Sequence, residues 1–452
     1  MRLKSIIDTP CGFRFLFEKL NLKSSVARNV LMESSMLQSA KEITNYYREL
    51  EEFYKIFVSE GRFTNTLLSI QTKLSLLRDI RGTISRLEDE AVLDDIELFE
   101  IKGLSLLYED IRTLFEGTFI KSVCFDDLSS IVKLLDPEGH KITSFYIYDC
   151  YSEELKELRI QIRKEIKYNN ELNYKTSIIE DGIRKELSNK LVPFTLVLRN
   201  AISSLSKIDI LIAKSLQIKE LDLCIPVLGK ERTSYRSLFN PEVKDIISKE
   251  GRLFQNVDIS FEPSEPLLIT GANMGGKTVV LKTLALSQYL FQFGFGIPSK
   301  EAEIASVSEI HFCIGDQQSI STGLSSFAAE MQRIDRVIKS VRGGKEIIAL
   351  IDEPARTTNP TEGTALVKAL IKILAGKHFR MVLTSHYNID SVSCKRLRVK
   401  GYENGAMNYS LIEDSNTQAP QEALQIARAI GIDNEWIEEA EALVDKVNYN
   451  KN

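Results

Sequence analysis

A glycine-rich segment between a short apolar run and a helix-forming run constrains this chain most. Residues 267–270 read Leu-Leu-Ile-Thr, residues 271–278 read Gly-Ala-Asn-Met-Gly-Gly-Lys-Thr, and residues 279–290 have helical character. In a strand, loop and helix of this kind, glycines let successive backbone N–H groups face a phosphate chain, and the helix N-terminus favours negative charge. Lys277 is then predicted to reach the β- and γ-phosphates, and the Thr278 hydroxyl to bind Mg²⁺. The segment therefore predicts a nucleotide-binding α/β domain.

An acidic pair follows a second apolar run. Residues 347–351 read Ile-Ile-Ala-Leu-Ile, and Asp352 and Glu353 come directly after them. Alone, such a pair is usually part of a solvated loop, but together with a phosphate-binding loop it is typical of sites that hydrolyse nucleotides. Asp352 is predicted to hold the Mg²⁺ shell, and Glu353 to orient and polarise the attacking water. ATP and Mg²⁺ are the expected ligands.

Two further segments carry polar side chains next to predicted strands or helices. His386 follows the apolar run 381–384, at the kind of strand end where open α/β sheets bind ligands. It is predicted to sense the γ-phosphate, although a lone histidine in such a loop is more often structural. Residues 315–327 are rich in hydroxyls and open into a helix near residue 328, which suits phosphate binding by Ser325 and Ser326. An ordinary capped loop explains this second segment equally well.

Hydrophobic periodicity changes near residue 228. Before it, apolar residues recur at three- and four-residue steps, which predicts helices packed through apolar stripes. One stripe, from residue 67 to 87, predicts a single helix of several turns, and another runs from 198 to 216. After residue 226, short β-branched runs alternate with helical patterns, as in a mostly parallel sheet covered by helices. We therefore predict an all-α domain at 1–228 and an α/β domain at 229–452.

Composition restricts the classes of partner. With 43% hydrophobic residues in a chain of 452, a fully disordered protein is excluded. The net charge of −5 leaves no general excess of cations for phosphate affinity, so binding of nucleic acid would require a local basic patch. The six cysteines show no paired or metal-ligand spacing, and no apolar run approaches the ~18 residues of a membrane-spanning helix. A cytoplasmic protein without membrane association is expected.

Four motifs, in this order, resemble the ATPase domain of the MutS family, a branch of the ABC-type ATPases. Residues 269–278 resemble I-T-G-P-N-M-G-G-K-S, and residues 297–304 resemble V-P-A-x-x-A-x-I. Residues 325–331 are similar to S-T-F-x-x-E-M, and residues 384–387 to A-T-H-Y. The resemblance is close over residues 235–395. It implies an α/β P-loop ATPase domain of ABC type, with a helical cap at about 415–447, preceded by an all-α core and lever domain.

The same resemblance implies a homodimer with composite ATP sites, each phosphate-binding loop being completed by the Ser325 region of the other subunit. Phe254 falls where the family has an aromatic that stacks on adenine, although a core phenylalanine remains an equal alternative. The implied catalytic residues are Lys277, Glu353 and His386, and the implied metal ligands are Thr278 and Asp352. The implied nucleotide-binding residues are Gly271, Asn273, Met274, Gly275, Gly276, Lys277, Thr278, Val279, Phe254, Ser325 and Ser326.

The chain also departs from the family pattern. Because it begins in the lever region and has no Phe-x-Glu triplet, the family's mismatch-reading domain is expected to be missing. The insertion that forms the DNA clamp is expected to be reduced to about residues 164–192, and no C-terminal nuclease module is expected. After Glu353, residues 354–358 read Pro-Ala-Arg-Thr-Thr where the family has an aliphatic residue followed by Gly-x-Gly-Thr.

Two functions fit these features. Abbreviated MutS-related proteins that reactivate adenosylcobalamin-dependent aminomutases resemble this chain in length, in lacking the reader, and in an Asp-Glu-Pro-Ala-Arg-like box. We therefore favour an ATPase that remodels such an aminomutase. The alternative is a DNA-binding ATPase that acts on mismatched or branched DNA. A scaffold without enzymatic activity is disfavoured by the intact Lys277, Thr278, Asp352 and Glu353.

Overall fold

The computed structural model describes residues 1–449 apart from residues 60, 62, 143, 165–169, 272–274, 315–325, 388, 391, 404–405, 415–423, 425–426 and 429–430. These residues form two compact units. One unit contains Met1–Lys19, Ser35–Tyr47 and the chain from Gln217 onward, and the other contains Leu20–Ser34 and Arg48–Leu216. Within the ranges given above, no helix combines the length and the apolar character that a membrane crossing requires.

The helices and strands of the described residues are as follows. The helices are α1 (Phe13–Glu18), α2 (Ser25–Glu33), α3 (Ala40–Phe53), α4 (Thr64–Leu74), α5 (Arg81–Glu88), α6 (Asp95–Glu116), α7 (Ser129–Leu135), α8 (Glu153–Lys164), α9 (Asn170–Leu191), α10 (Thr195–Glu220), α11 (Pro241–Lys249), α12 (Lys277–Gln292), α13 (Ser326–Arg342), α14 (Pro360–Leu374) and α15 (Asn434–Tyr449). The strands are β1 (Val227–Gly229), β2 (Thr233–Leu238), β3 (Val257–Phe261), β4 (Leu267–Thr270), β5 (Glu301–Ala305), β6 (Glu309–Cys313), β7 (Ile347–Ile351), β8 (Arg380–Thr384), β9 (Lys395–Glu403) and β10 (Ala406–Glu413).

The first unit contains a six-stranded sheet in the order β10-β9-β4-β8-β7-β6. All neighbouring strands in it are parallel except the β9–β10 hairpin. A smaller, mostly antiparallel sheet has the order β1-β5-β2-β3. The prediction of a mixed α/β domain with a mostly parallel sheet is confirmed.

The three central strands are the three apolar runs singled out in the sequence. Every residue of β4, β7 and β8 is buried, because helices cover a parallel sheet on its faces and leave no polar side to the strands. Strands β4, β8 and β7 are direct neighbours in the sheet. Their carboxyl ends therefore meet at one edge, and the three loops that follow them are brought together.

The sheet-containing unit also includes chain that we predicted as part of the helical domain. Phe13 packs edge-on against Phe295, with ring centroids 5.6 Å apart. The Tyr47 hydroxyl lies 2.9 Å from the carbonyl oxygens of both Phe291 and Phe295. Apolar rings from residues 1–19 and 35–47 thus pack around the end of α12, which explains why the compact units interleave along the chain instead of dividing at residue 228.

The second unit is helical throughout its described residues. The apolar stripe from 198 to 216 lies on the single helix α10, as predicted. The prediction of one helix across 67–87 is wrong, because α4 ends at Leu74 and α5 begins at Arg81. The break is local: the N–H of Leu77 turns back to the carbonyl of Leu74, and the Asp79 carboxylate accepts the N–H of Arg81. The stripe residues of both helices are still buried, so the stripe persists across the break.

Candidate active site

The Asp352 carboxylate is held by two hydroxyl groups at the edge where β4, β7 and β8 end. Thr278 Oγ1 donates a hydrogen bond of 2.8 Å to Asp352 Oδ2, and Thr384 Oγ1 donates one of 2.7 Å to Asp352 Oδ1. The backbone N–H of Glu353 donates to the same Thr384 hydroxyl, at 2.9 Å. A threonine at the end of β8 therefore fixes both acidic residues at the end of β7. Its role in the site was not predicted, because it depends on the pairing of two strands.

Lys277 is the first residue of α12, and its side chain is only 3% exposed. Its ammonium donates a hydrogen bond of 2.7 Å to the carbonyl oxygen of Gly271 and lies 3.6 Å from Glu353 Oε1. A buried ammonium is stable only beside acceptors or negative charge. The end of β4, the start of α12 and the end of β7 thus surround one buried cation, which is the arrangement that a phosphate chain requires.

The conformations of Gly271 and Gly276 exclude other residues. Gly271 has φ +132°, and a Cβ there would lie 3.0 Å from the Cβ of Val399 on β9. Gly276 has φ +76°, and a Cβ there would lie 3.2 Å from the ring of Tyr409. Left-handed backbone is accessible to glycine without steric cost, so both residues keep the loop close to the sheet. Gly276 is the N-cap of α12, so the helix begins directly at this loop and its N-terminal N–H groups lie at the loop.

A cleft of about 210 Å³ lies beside this loop, and its walls are mostly apolar. Phe254, Gly275, Gly276 and Val279 line it, together with Tyr409 from β10. Phe254 is half-buried, and it faces this cleft next to the phosphate-binding loop. Two aromatic side chains beside a helix N-terminus suit a flat heterocycle attached to phosphates.

The sequence did not identify Tyr409, which lies far from the motifs in the chain. Gln255 connects the two walls of the cleft: its side-chain oxygen accepts the Tyr409 N–H at 2.9 Å, and its amide donates to Ser410 Oγ at 2.8 Å. This connection joins the residue after Phe254 to strand β10. The local sequence around Tyr409 contains no signal for such a contact.

His386 lies in the loop after β8. Its Nδ1 is 3.9 Å from Glu353 Oε2 and, among the described residues, it is a buried nitrogen without a hydrogen-bond partner. The imidazole side chain is 36% exposed, so one part of the ring reaches the surface of the site. The structure therefore brings the proposed sensor to the proposed catalytic carboxylate.

The loop after Glu353 has an unusual backbone. Glu353 has φ +42° and Ala355 has φ +62°, which is the left-handed region. Non-glycine residues adopt this region rarely, and such strain is concentrated at functional sites. Ala355 stands where the family pattern has its first glycine, so the conformation that glycine would favour is present although the glycine is not. Arg356 Nη1 lies 3.5 Å from Glu353 Oε2.

The metal ligands predicted from the sequence have the right chemistry. A hydroxyl oxygen of Thr278 and a carboxylate oxygen of Asp352 are hard donors, and Mg²⁺ is usually held by few protein oxygens together with phosphates and water. Across the described ranges, no cluster of three or more His, Cys, Asp or Glu side chains suggests a metal held by protein ligands alone. The pair fits Mg²⁺ and does not suggest a transition-metal centre.

The structure gathers most of the predicted site residues at one edge of the large sheet. Ser326 is the first residue of α13, and its side chain is not described. Three predicted residues lie outside the described ones: Asn273, Met274 and Ser325. The residues brought together are Gly271, Gly275, Gly276, Lys277, Thr278, Val279, Asp352, Glu353 and His386, with Phe254 in the adjoining cleft.

Comparison with known proteins identifies this region of the chain. The family described as MutS domain V matches residues 267–448. Endonuclease MutS2 of Enterococcus faecalis is 30% identical over 304 residues, which are 64% of this chain and 37% of that protein. Endonuclease MutS2 of Pediococcus pentosaceus is 27% identical over 427 residues, 90% of this chain and 51% of that protein. The corresponding protein of Leuconostoc mesenteroides is 24% identical over 466 residues, 96% of this chain and 56% of that protein. The chain thus spans between 37% and 56% of the length of these relatives.

Proposed function

Because this chain belongs to the MutS family, we propose that it binds ATP with Mg²⁺, hydrolyses it, and uses the cycle to act on a macromolecular partner. One observation carries the ATPase assignment. The Thr278 hydroxyl, the Asp352 carboxylate and the Thr384 hydroxyl form a continuous hydrogen-bonded chain that ends on the backbone of Glu353. Such a chain holds a metal-binding carboxylate and a neighbouring base in fixed positions beside the buried Lys277.

Each residue of the site would have a separate role in binding or hydrolysing ATP. The Lys277 ammonium and the N–H groups at the start of α12 would bind the β- and γ-phosphates, and Phe254 and Tyr409 would hold the adenine. Mg²⁺ on Thr278 and Asp352 would neutralise charge on the phosphate oxygens. Glu353 would accept a hydrogen bond from the attacking water and orient it, because its side chain is only 14% exposed and its Oε2 lies 3.9 Å from His386 Nδ1. His386 would contact the γ-phosphate or that water.

We further propose that the active form is a homodimer with composite ATP sites. The segment 315–325 immediately precedes α13, and α13 contacts the strands β6 and β7 that lead to the site. The family signature in residues 325–331 supports a role in completing the site of a second copy. ATP binding would then close the two subunits, and hydrolysis would reopen them.

DNA is the partner that the relatives favour, since relatives that align with 90% and 96% of this chain bear the name Endonuclease MutS2. The first preference from the sequence, an aminomutase, receives no support from these relatives. We therefore propose an ATPase that acts on DNA in repair or recombination, and this replaces our initial preference. An electrostatic contribution from phosphates should then make DNA binding sensitive to salt.

A protein partner stays the second candidate because of the charge arrangement on α8 and α9; α9 covers most of the region proposed as a reduced clamp, and α8 precedes it. Lys156, Lys175 and Lys190 each pair with a glutamate on the same helix, at 2.6 to 2.8 Å. Cations neutralised in this way contribute less to phosphate binding than unpaired ones. A remodelling ATPase for an adenosylcobalamin-dependent aminomutase remains compatible with this surface.

Steady-state ATP hydrolysis tests both proposals in one assay. We would measure turnover of the purified chain alone, with duplex, mismatched and branched DNA at about 50 and 200 mM salt, and with an inactivated cobalamin aminomutase. Stimulation by DNA that falls steeply with salt would support the DNA proposal. Stimulation by the aminomutase alone would reject it in favour of the second candidate. Absence of hydrolysis under every condition would refute the ATPase assignment.

A further inference from the structure

The backbone of Ala355, in the loop after Glu353, is held from two sides. The N–H of Ala355 donates a hydrogen bond of 3.0 Å to Glu330 Oε1, a side chain of α13. The carbonyl oxygen of Ala355 accepts a hydrogen bond of 2.8 Å from the Tyr387 hydroxyl, in the loop after β8. Ala355 itself is fully buried. The N–H therefore depends on a side chain of α13. The carbonyl also accepts the N–H of Thr358 at 3.3 Å, and Tyr387 is its partner from outside the loop.

The position of Tyr387 is itself supported. Its ring is buried, and α14 passes it at Gly363, where an added Cβ would lie 2.6 Å from the Tyr387 hydroxyl oxygen. Only a residue without a side chain leaves room for the hydroxyl at this place. Burial and the nearby carboxylates of Glu330 and Glu353 raise the pKa of Tyr387, so the phenol stays protonated and remains a hydrogen-bond donor.

The backbone of this loop would not keep its shape without such contacts. Glu353 and Ala355 both have positive φ, and residues in that region persist only where their surroundings hold them. Glu353 is fixed on one side by its N–H bond to Thr384. On the other side, the first hydrogen bonds after it are those of Ala355, because Pro354 has no N–H to donate. The direction of the Glu353 carboxylate therefore depends on the contacts of Ala355.

We propose that Glu330 and Tyr387 are positioning residues for hydrolysis. By holding the N–H and the carbonyl of Ala355, they keep the Glu353 carboxylate directed at the attacking water. The inference rests on the proposed ATPase function and deepens it. It also gives the helix that follows residues 315–325 a direct connection to the catalytic carboxylate. Neither residue would touch the nucleotide in this role, so their loss should affect turnover and leave ATP affinity unchanged.

Three substitutions separate this role from a merely structural one. Glu330→Ala removes the acceptor, Tyr387→Phe removes the donor, and Glu330→Gln keeps an oxygen at the same position. We expect the first two to lower kcat by about 10-fold or more while the Kd for ATP changes by less than about 2-fold, and Glu330→Gln to keep most of the turnover. Because both residues act on the backbone of Ala355, the double variant should cost little more than either single change.

The control is Lys339→Ala, which removes an exposed ion pair with Asp335 from the same helix. It should leave kcat unchanged. Amide hydrogen exchange of the peptide containing residues 353–358 provides a readout independent of activity, and it should accelerate in Glu330→Ala and Tyr387→Phe while the exchange of α12 stays as in the wild type. Thermal unfolding of each variant establishes that it is folded.

The outcomes separate the two ideas. Wild-type turnover in Glu330→Ala and Tyr387→Phe, with faster exchange in this loop, would overturn the positioning role and leave the ATPase assignment intact. Loss of activity in Glu330→Gln equal to that in Glu330→Ala would also overturn it, since charge and not the hydrogen bond would then matter. A wild-type protein that hydrolyses no ATP would instead refute the proposed function itself.

Discussion

The Thr278 hydroxyl donates a 2.8 Å hydrogen bond to the Asp352 carboxylate across 74 positions of sequence. Thr278 lies in the first turn of α12, the helix that follows β4, and Asp352 directly follows β7. In the sheet, β8 lies between β4 and β7. This single contact defines the place where a metal ion would meet the nucleotide.

Lys277→Ala should abolish measurable ATP binding. The ammonium is buried beside Gly271 and Glu353, and a charge-assisted hydrogen bond contributes about 1.5–3 kcal/mol, so loss of its bonds to two phosphates would weaken binding by about 100-fold or more. Equilibrium titration with a fluorescent ATP analogue measures this. Lys249→Ala is a suitable control because that lysine is 75% exposed in a surface pair with Asp245. Unchanged affinity in Lys277→Ala would remove this lysine from the site.

Glu353→Gln should bind ATP and fail to hydrolyse it. The amide occupies the same volume but cannot accept a proton, and the loss of a general base usually lowers turnover by about 10²–10⁴-fold. With ATP, this variant should accumulate as a dimer in size-exclusion chromatography. Glu250→Gln, a change at an exposed glutamate paired with Arg252, should behave as the wild type. Turnover near the wild-type rate in Glu353→Gln would contradict the assigned role.

Phe254→Ala and Tyr409→Ala should each weaken ATP binding by about 5- to 30-fold, because stacking of a base on an aromatic ring contributes about 1–2 kcal/mol. Both side chains line the cleft beside Gly276. Affinity for inorganic triphosphate should stay unchanged, since the base alone is lost. Tyr174→Ala removes an exposed aromatic from the helical unit and serves as the control. Equal losses for ATP and triphosphate would show that the cleft does not hold the base.

Ala355→Gly should change the stability of the protein little. At φ +62° an alanine side chain costs about 1–2 kcal/mol, while glycine adds about 0.4–1 kcal/mol of conformational freedom to the unfolded chain. Glycine also removes a fully buried methyl group that contributes about 0.8 kcal/mol, so the gain and the losses nearly cancel. Gly276→Ala should destabilise it, because this residue has φ +76° and a Cβ would meet the Tyr409 ring. Urea unfolding at neutral pH measures both. A clear loss of stability in Ala355→Gly would contradict the left-handed backbone.

Glu309 should make stability sensitive to acid. Lys345, followed by Ser340 and His311, lowers its pKa from 4.5 to about 2 against the opposing effect of burial. A carboxylate with a depressed pKa in the folded state stabilises the protein above the unfolded pKa of 4.5, and that contribution is lost as pH falls from 4.5 towards 2. Glu309→Gln should therefore lose less stability than the wild type between about pH 5 and 3 in urea titrations. Parallel curves for the two proteins would exclude this carboxylate as a source of acid sensitivity.

Features that depend on neighbouring residues in the chain could be predicted. The runs that became β4, β7 and β8 were evident because strands buried on both faces are continuous in apolar residues. The break between α4 and α5 was missed because hydrophobic periodicity shows only which side of the chain is apolar. The apolar pattern continues through the turn between the two helices, where the Asp79 carboxylate accepts the N–H of Arg81.

The amino-acid sequence by itself determined the chemistry of this protein: a glycine loop with Lys277 and Thr278, an acidic pair after a buried strand, and a histidine after a third. Only the tertiary structure decided which other side chains contact and position these residues. Thr384 holds both acidic residues, Tyr409 lines the same cleft as Phe254, and Glu330 and Tyr387 hold the backbone of Ala355. The physical reason is that each of these contacts joins separate strands or helices, and the order of strands in a sheet is set by packing of the whole domain and not by any local run of residues.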